Sequence, residues 1–396
     1  MSEDFYKQRE QRKEDAFINA LLMPEIPEPV VYEAQESTSL ASKQYVISDK
    51  KLDAPEDVQT LYKRLLQWNK GCRDLFIDLS GIDFGVNDED MYLDFKDKNF
   101  YDRRLYFKVD PEKPKDPTII HATKQFCKCL NIPYSFFVKN RPSLKANIVR
   151  TWQAGLEALK EDKYQVLSRI RESDDSAIIR ALLSTKHATI HNHELINVII
   201  NQVKVPYKLE FSFGDEKDDL ILHARFLFDE ERMLFGKVPV CAGFSLVCSE
   251  LGASPLILDT FLHDKTSKTS YIALYGGESF FKTKYDGIQP NEVKEIIPKM
   301  VERISQELPL MISTIEECKS NIDPRVEASK VAKWDGSNDK FRKALYHEVA
   351  ECSEDMTSTY DFARHISLIA KDSESLKRLE QEKIAGKLLN FFFEKN

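Results

Sequence analysis

The chain has 396 residues, 42% hydrophobic and 31% charged, with a formal net charge of −8. This is a globular composition of roughly two or three domains. It argues against a protein that coats nucleic acid with its whole surface, but leaves room for a local basic strip. The 13 glycines are few for a barrel or sandwich of many tight turns, and the 7 scattered cysteines, none in a C-x-x-C, read as reduced thiols of a cytoplasmic protein.

Residues 1–54 read as a flexible N-terminal segment. A short amphipathic helix from Glu3 to Met23 ends at the prolines of MPEIPEP, and the polar EAQESTSLASKQ follows as a linker. The N-terminus is charged throughout, so no signal peptide is expected, and no apolar run is long enough for a bilayer: no membrane partner is expected.

Residues 55–204 form a helix-rich α+β portion. APEDVQTLYKRLLQW places Val58, Leu61, Leu65 and Leu66 at helical spacing, and RDLFIDLSGIDFGV alternates like a strand or hairpin. FKDKNFYDRRLYFKVDPEKPKDP reads as a protruding hairpin or loop. TIIHATKQFCKCLN is helical up to Pro133, and SLKANIVRTWQAGLEALKEDK is helical with Leu144, Ile148, Trp152 and Leu156 on one face. YQVLSRIRES and DSAIIRALLST are two short strands, and HNHELINVIINQV is a helix with His191 or Asn192 near its N-cap and Glu194 in its first turn.

Residues 205–321 read as an antiparallel sheet plus a long helix, the latter kinked or split at Pro298 and Pro309. Residues 322–396 are a C-terminal helical extension. Its Phe391–Phe393 run is expected to dock within the chain or onto a neighbouring subunit. The fold class is α+β: an antiparallel sheet followed by a long helix, flanked by N- and C-terminal helices.

Two constellations carry chemistry. His187, His191 and His193 lie within STKHATIHNHELI, and with Glu194 they would serve a metal-dependent nuclease if their rings converged. The strand–turn–helix reading places them at a helix start instead, and no second half of a metal site is visible. The other constellation is a basic strip. Lys124, Lys128, Lys139, Arg141, Lys145 and Arg150 occur between His121 and Arg150 with no Asp or Glu, interleaved with Phe126, Tyr134, Phe136 and Phe137. Arg169, Arg171, Arg180 and Lys186 continue it. Cations for phosphates and aromatic rings for bases are what single-strand binding needs; the bland alternative is helix-surface lysines over core aromatics. Phosphate loops, dinucleotide fingerprints and nucleophile elbows are missing from the sequence, so no cofactor is called for.

Three segments resemble the phage/plasmid-like family of unknown function: IPYSFFVKNRPSLKANIVRTWQ, SDDSAIIRALLSTKHATIHNHELI and AGFSLVCSELGASPLILDTFLHD, spanning roughly residues 118–290. Arg180, Ala181, Leu183, Ser184, Asn192, Ser249, Glu250 and Gly252 stand at matching places. His263 stands where the family has Arg, and Thr185–Lys186–His187 where it has Asp-Arg-Tyr. The resemblance implies a mobile-element protein in a bacterial host cell and carries no settled activity. A curved antiparallel sheet leading into a long helix is also similar to the core of ring-forming single-strand annealing proteins. The expected function is therefore a non-enzymatic, homo-oligomeric protein that binds single-stranded nucleic acid in recombination or replication. Its rivals are a structural or host-takeover protein-binding factor and a metal-dependent nuclease.

Overall fold

A computed structural model describes residues 58–79, 83–87, 90–94, 105–107, 117–140, 142–158, 165–172, 177–188, 190–212, 221–285, 290–317, 321–334, 337–371, 373 and 375–393. All of them belong to one compact unit, Val46–Asn396. The helix expected from Glu3 to Met23 and the linker after it lie outside the described residues, as does Arg141.

Helix α1 (Val58–Trp68) buries Leu61 and Leu65 at i and i+4, while Leu66 stays exposed. A first sheet has the order β1-β5-β6-β4-β3-β2. Its strands are β1 (Cys72–Asp78), β2 (Asp83–Asn87), β3 (Asp90–Asp94), β4 (Leu105–Phe107), β5 (Gln165–Glu172) and β6 (Ala177–Ser184). All pairs are antiparallel except β4 with β6, which run parallel. The charged stretch read as a protruding hairpin or loop supplies β4, an interior strand of this sheet.

Three helices pack on this sheet: α2 (Pro117–Cys129), α3 (Tyr134–Lys139) and α4 (Pro142–Ala158). Their Ala122, Phe126, Leu130, Phe137 and Val149 meet Ile77, Val166, Ile170, Ile179 and Leu182 in one core. The expected face of α4 is partly the buried one: Ile148 and Trp152 pack half-buried against this core, beside the buried Ala146 and Val149. Leu144, in the first turn of the helix, is exposed.

Helix α5 (Asn192–Gln202) crosses to a second sheet of order β11-β10-β9-β8-β7, with β13 also pairing with β10. The strands are β7 (Tyr207–Ser212), β8 (Leu222–Leu234), β9 (Val238–Cys248), β10 (Leu256–Asp264), β11 (Thr269–Ile272) and β13 (Phe281–Thr283), all antiparallel. β12 (Leu274–Tyr275) leaves this sheet. Helix α6 (Pro290–Glu317) runs unbroken through Pro298 and Pro309. Its buried Val293, Ile297, Met300, Ile304, Leu308, Met311 and Ile315 recur at helical spacing, and packing along that whole stripe holds the helix together where two backbone donors are missing.

The C-terminal helices are α7 (Pro324–Val331), α8 (Asp339–Cys352), α9 (Thr359–Lys371) and α10 (Ser375–Leu388). They share one core with α1, α5, α6 and the second sheet, so the packing runs across the portion boundaries at 204 and 321. Gly386 lets α10 touch β11: a Cβ there would overlap the backbone carbonyl of Ile272. The phenylalanine run docks within the chain. Phe391 is buried and β14 (Phe392–Phe393) pairs in parallel with β12. The fold is α+β, and among the described residues no helix is long and apolar enough to cross a membrane.

Candidate functional site

The basic strip divides in the structure. On α2 the half-buried Lys124 lies over the Tyr134 ring, 5.3 Å from its centroid, and Lys145 of α4 lies 5.7 Å from that of the buried Phe137. Burial lowers the pKa of both lysines. Lys128, one turn beyond Lys124, is exposed, as are Lys139 and Phe136 on α3, Phe136 at 53%. These residues gather on the helices that cover the first sheet. Arg150 is exposed on α4 and Lys186 in the turn after β6; Arg171 on β5 stacks on Trp68 of α1, 4.1 Å from the ring centroid.

Arg169 and Arg180 do not belong to that surface. Both are buried, at 1% and 3% exposure. Arg169 faces Asp74 across the β1–β5 ladder, with Nε 3.0 Å from Oδ1 and Nη2 3.2 Å from Oδ2, and Nη1 donates to the Glu250 carbonyl at 2.5 Å. Arg180 reaches the same loop through a bulge. Arg169 pairs with Ala181 while Ile170 pairs with Ile179, so Arg180 is the extra residue and turns out of the ladder. Its Nη2 donates to Glu250 Oε1 at 3.0 Å and its Nη1 contacts Cys72 Sγ at 3.1 Å. Two arginines read as phosphate contacts are therefore committed to carboxylates in the interior.

Glu250 is the centre of this cluster. Its Oε2 accepts the backbone N–H of Asn192 at 3.1 Å and lies 3.4 Å from His191 Nδ1. Burial pushes the Glu250 carboxyl up, but the His191 ring and the charges of Arg180 and Arg169 outweigh it and hold the group well below the usual carboxylate range. The Asn192 side-chain oxygen accepts from Cys248 Sγ at 3.3 Å. Gly252 has φ +75°, and a Cβ there would stand 2.8 Å from Leu183. Arg180, Leu183, Asn192, Glu250 and Gly252 thus meet at the junction of the two sheets and α5.

The three histidines at this junction do not converge on one ion. His187 stacks on Tyr285 with centroids 5.0 Å apart, and His191 stacks on His193 at 5.6 Å. His191 is the N-cap of α5, with its backbone N–H donating to Glu194 Oε2 at 2.7 Å. Burial, then the neighbouring His191, lowers the pKa of His193.

Sequence reasoning missed a second polar cluster, on the face of the second sheet opposite Phe226, Phe244 and Leu258. His223, Arg225, Ser245, Asp259, His263 and Ser270 are all buried there. Arg225, Ser245 and Asp259 form a directly opposed row across β8, β9 and β10. Helix α10 covers this row with ions of its own: Glu382 lies 3.3 Å from Arg225 and 2.9 Å from Arg378, and Lys383 lies 2.9 Å from Asp259. Arg225 also donates to the Ser270 hydroxyl, which is 2.8 Å from His263 Nδ1. Burial, then Arg225 and Arg378, pushes His223 well down and His263 down to about 3. The one available signal was the alternation of polar with apolar residues in LHARFLF and LILDTFLHD, which reads equally well as a solvent-facing side. With Ser270 buried and held by Arg225, the cluster offers no accessible nucleophile; it joins α10 to the sheet.

Compared with protein-family models, curated proteins and solved structures, the chain matches none.

Proposed function

We propose that the protein binds single-stranded nucleic acid on the surface of α2, α3 and α4, as a homo-oligomeric, non-catalytic factor of a phage or other mobile element. The observation that carries this reading is a stretch from His121 to Arg150 without one acidic residue, in which Lys128, Phe136 and Lys139 are exposed. The rest of the chain is acidic, so such a stretch is a local positive field on a negative body. Lysines take the phosphates, and Phe136 with the partly exposed Tyr134 offers faces for bases. Arg169 and Arg180 have no part in it. β1 ends its sheet among the described residues and carries Phe76 at 67% exposure, which supports pairing with a second copy along that edge.

Fluorescence anisotropy with a labelled oligonucleotide, repeated at rising salt, tests the proposal. We expect micromolar or tighter binding that weakens steeply with salt, and at least tenfold weaker binding for Lys128→Glu/Lys139→Glu. Phe136→Ala should weaken it by about 1–3 kcal/mol, the usual worth of one stacked base. No salt-sensitive binding at micromolar protein overturns it.

A further inference from the structure

We propose that Glu348, Cys352 and His365 form a binding site for a zinc-class divalent cation. The three residues come from two helices. Glu348 and Cys352 are four apart on α8, so both side chains leave the same face of that helix. His365 comes from α9, packed alongside, and is 7% exposed. One ligand atom from each residue lies within 4.8 Å of the others, and His365 Nδ1 is 2.7 Å from Glu348 Oε1.

The ligand set decides the metal class. A thiolate, an imidazole and a carboxylate together suit zinc, whereas calcium and magnesium take oxygen ligands. Around a tetrahedral zinc, with bonds of about 2.0–2.3 Å, ligand atoms stand roughly 3.3–3.7 Å apart. The present spacing brackets that range. Loading the site requires the His365–Glu348 contact to open by about 1 Å or less and the Cys352 thiol to close by at most about 1.5 Å, within reach of side-chain rotation. Glu348 and Cys352 are only partly buried, which leaves one tetrahedral position to water: three protein ligands and an open fourth.

The surroundings favour a cation. Glu351 and Asp355 add negative charge around Cys352. A bound dication takes the Cys352 sulfur as thiolate and releases its proton. The sequence shows nothing of this, because E-x-x-x-C on one helix has no partner until α9 brings His365 across.

Cobalt titration of the full-length chain, stripped of metal with a chelator, tests the site. One equivalent of Co²⁺ should give a near-ultraviolet thiolate-to-cobalt band and visible d–d bands, displaced by one equivalent of Zn²⁺. Cys352→Ser should abolish the ultraviolet band, His365→Gln should weaken binding at least tenfold, and Cys129→Ser should change neither. Circular dichroism confirms that each variant is folded; if Cys352→Ser is not, Glu348→Gln and His365→Gln carry the test through the d–d bands. Failure of the wild-type chain to bind micromolar Co²⁺ overturns the proposal. So does a thiolate band that survives Cys352→Ser or disappears with Cys129→Ser, or cobalt spectra unchanged in folded His365→Gln.

Discussion

At the junction of the two sheets each buried arginine faces a carboxylate, Arg169 with Asp74 and Arg180 with Glu250, and the acids are what hold the charges in place. On the outer face of the second sheet, Arg225 and Arg378 share one carboxylate, Glu382, and the histidines beside them are kept neutral by burial and by those same arginines. Both clusters replace apolar packing at a seam between elements. They differ in which proton threatens them. The junction fails when a carboxylate is protonated; the outer face fails when an imidazole is.

Removing the central acid is the hardest test of the contrast. Glu250→Ala leaves Arg180 buried without its carboxylate and should cost about 3–5 kcal/mol. Arg225→Leu should cost less, about 1–3 kcal/mol, because Glu382 keeps Arg378 at 2.9 Å. Urea unfolding of the two variants ranks them, and the reverse order would break the comparison.

Acid titration separates the clusters without a change of residue. The folded pKa of His263, about 3, lies below its unfolded value of about 6.5. The unfolded chain therefore takes up the proton first as pH falls, and stability is lost from about pH 6.5 downward. At pH 5 the loss from His263 alone is about 2 kcal/mol, and His263→Asn should remove that share of the slope. Glu250 also has a depressed folded pKa, but it is an acid: its contribution is present above the ordinary Glu value of about 4.3 and is lost only as pH falls below that. Stability measured from pH 8 to 3 should fall in two stages, histidine first. A curve flat down to pH 5 would contradict the outer-face assignment.

Gly252→Ala probes the junction more gently. It places a Cβ at φ +75° and 2.8 Å from Leu183, and should cost about 1–2 kcal/mol by thermal unfolding. The smallest effect belongs to the solvent-facing lysines: Lys128→Glu/Lys139→Glu should change stability by less than about 0.5 kcal/mol per site while weakening nucleic-acid binding. A larger stability loss would mean that these lysines are structural, as Arg169 and Arg180 are.

The contrast between Lys128 and Arg180 also shows how far the sequence could be read. Both read as parts of one basic strip, although Arg180 stands alone among the apolar residues of AIIRALLS while Lys128 lies in KQFCKC. Lys128 is exposed because its position on α2 points away from the core. Arg180 is buried because a bulge in β6, set by pairing with β5, turns it toward a carboxylate 70 residues away. The start of α5 was legible, since a cap followed by Glu194 is a local signal. The Glu250 carboxylate behind that cap was not, and neither was the outer polar face, whose alternation is the same for water and for a charged helix.

Periodicity, caps and turn residues determined the α+β class, most of the helices and strands in their order, and the helical character of α6, because those signals act over a few residues of contiguous chain; packing decided that α6 runs unbroken through its prolines and that β4 forms inside a charged stretch. Tertiary structure alone decided the parallel pairing of β4 with β6, the docking of Phe391–Phe393 on β12, and which cations are solvated and which are locked to acids. Each of these is an interaction between distant segments, whose desolvation and partners exist only once the sheets have closed on one another.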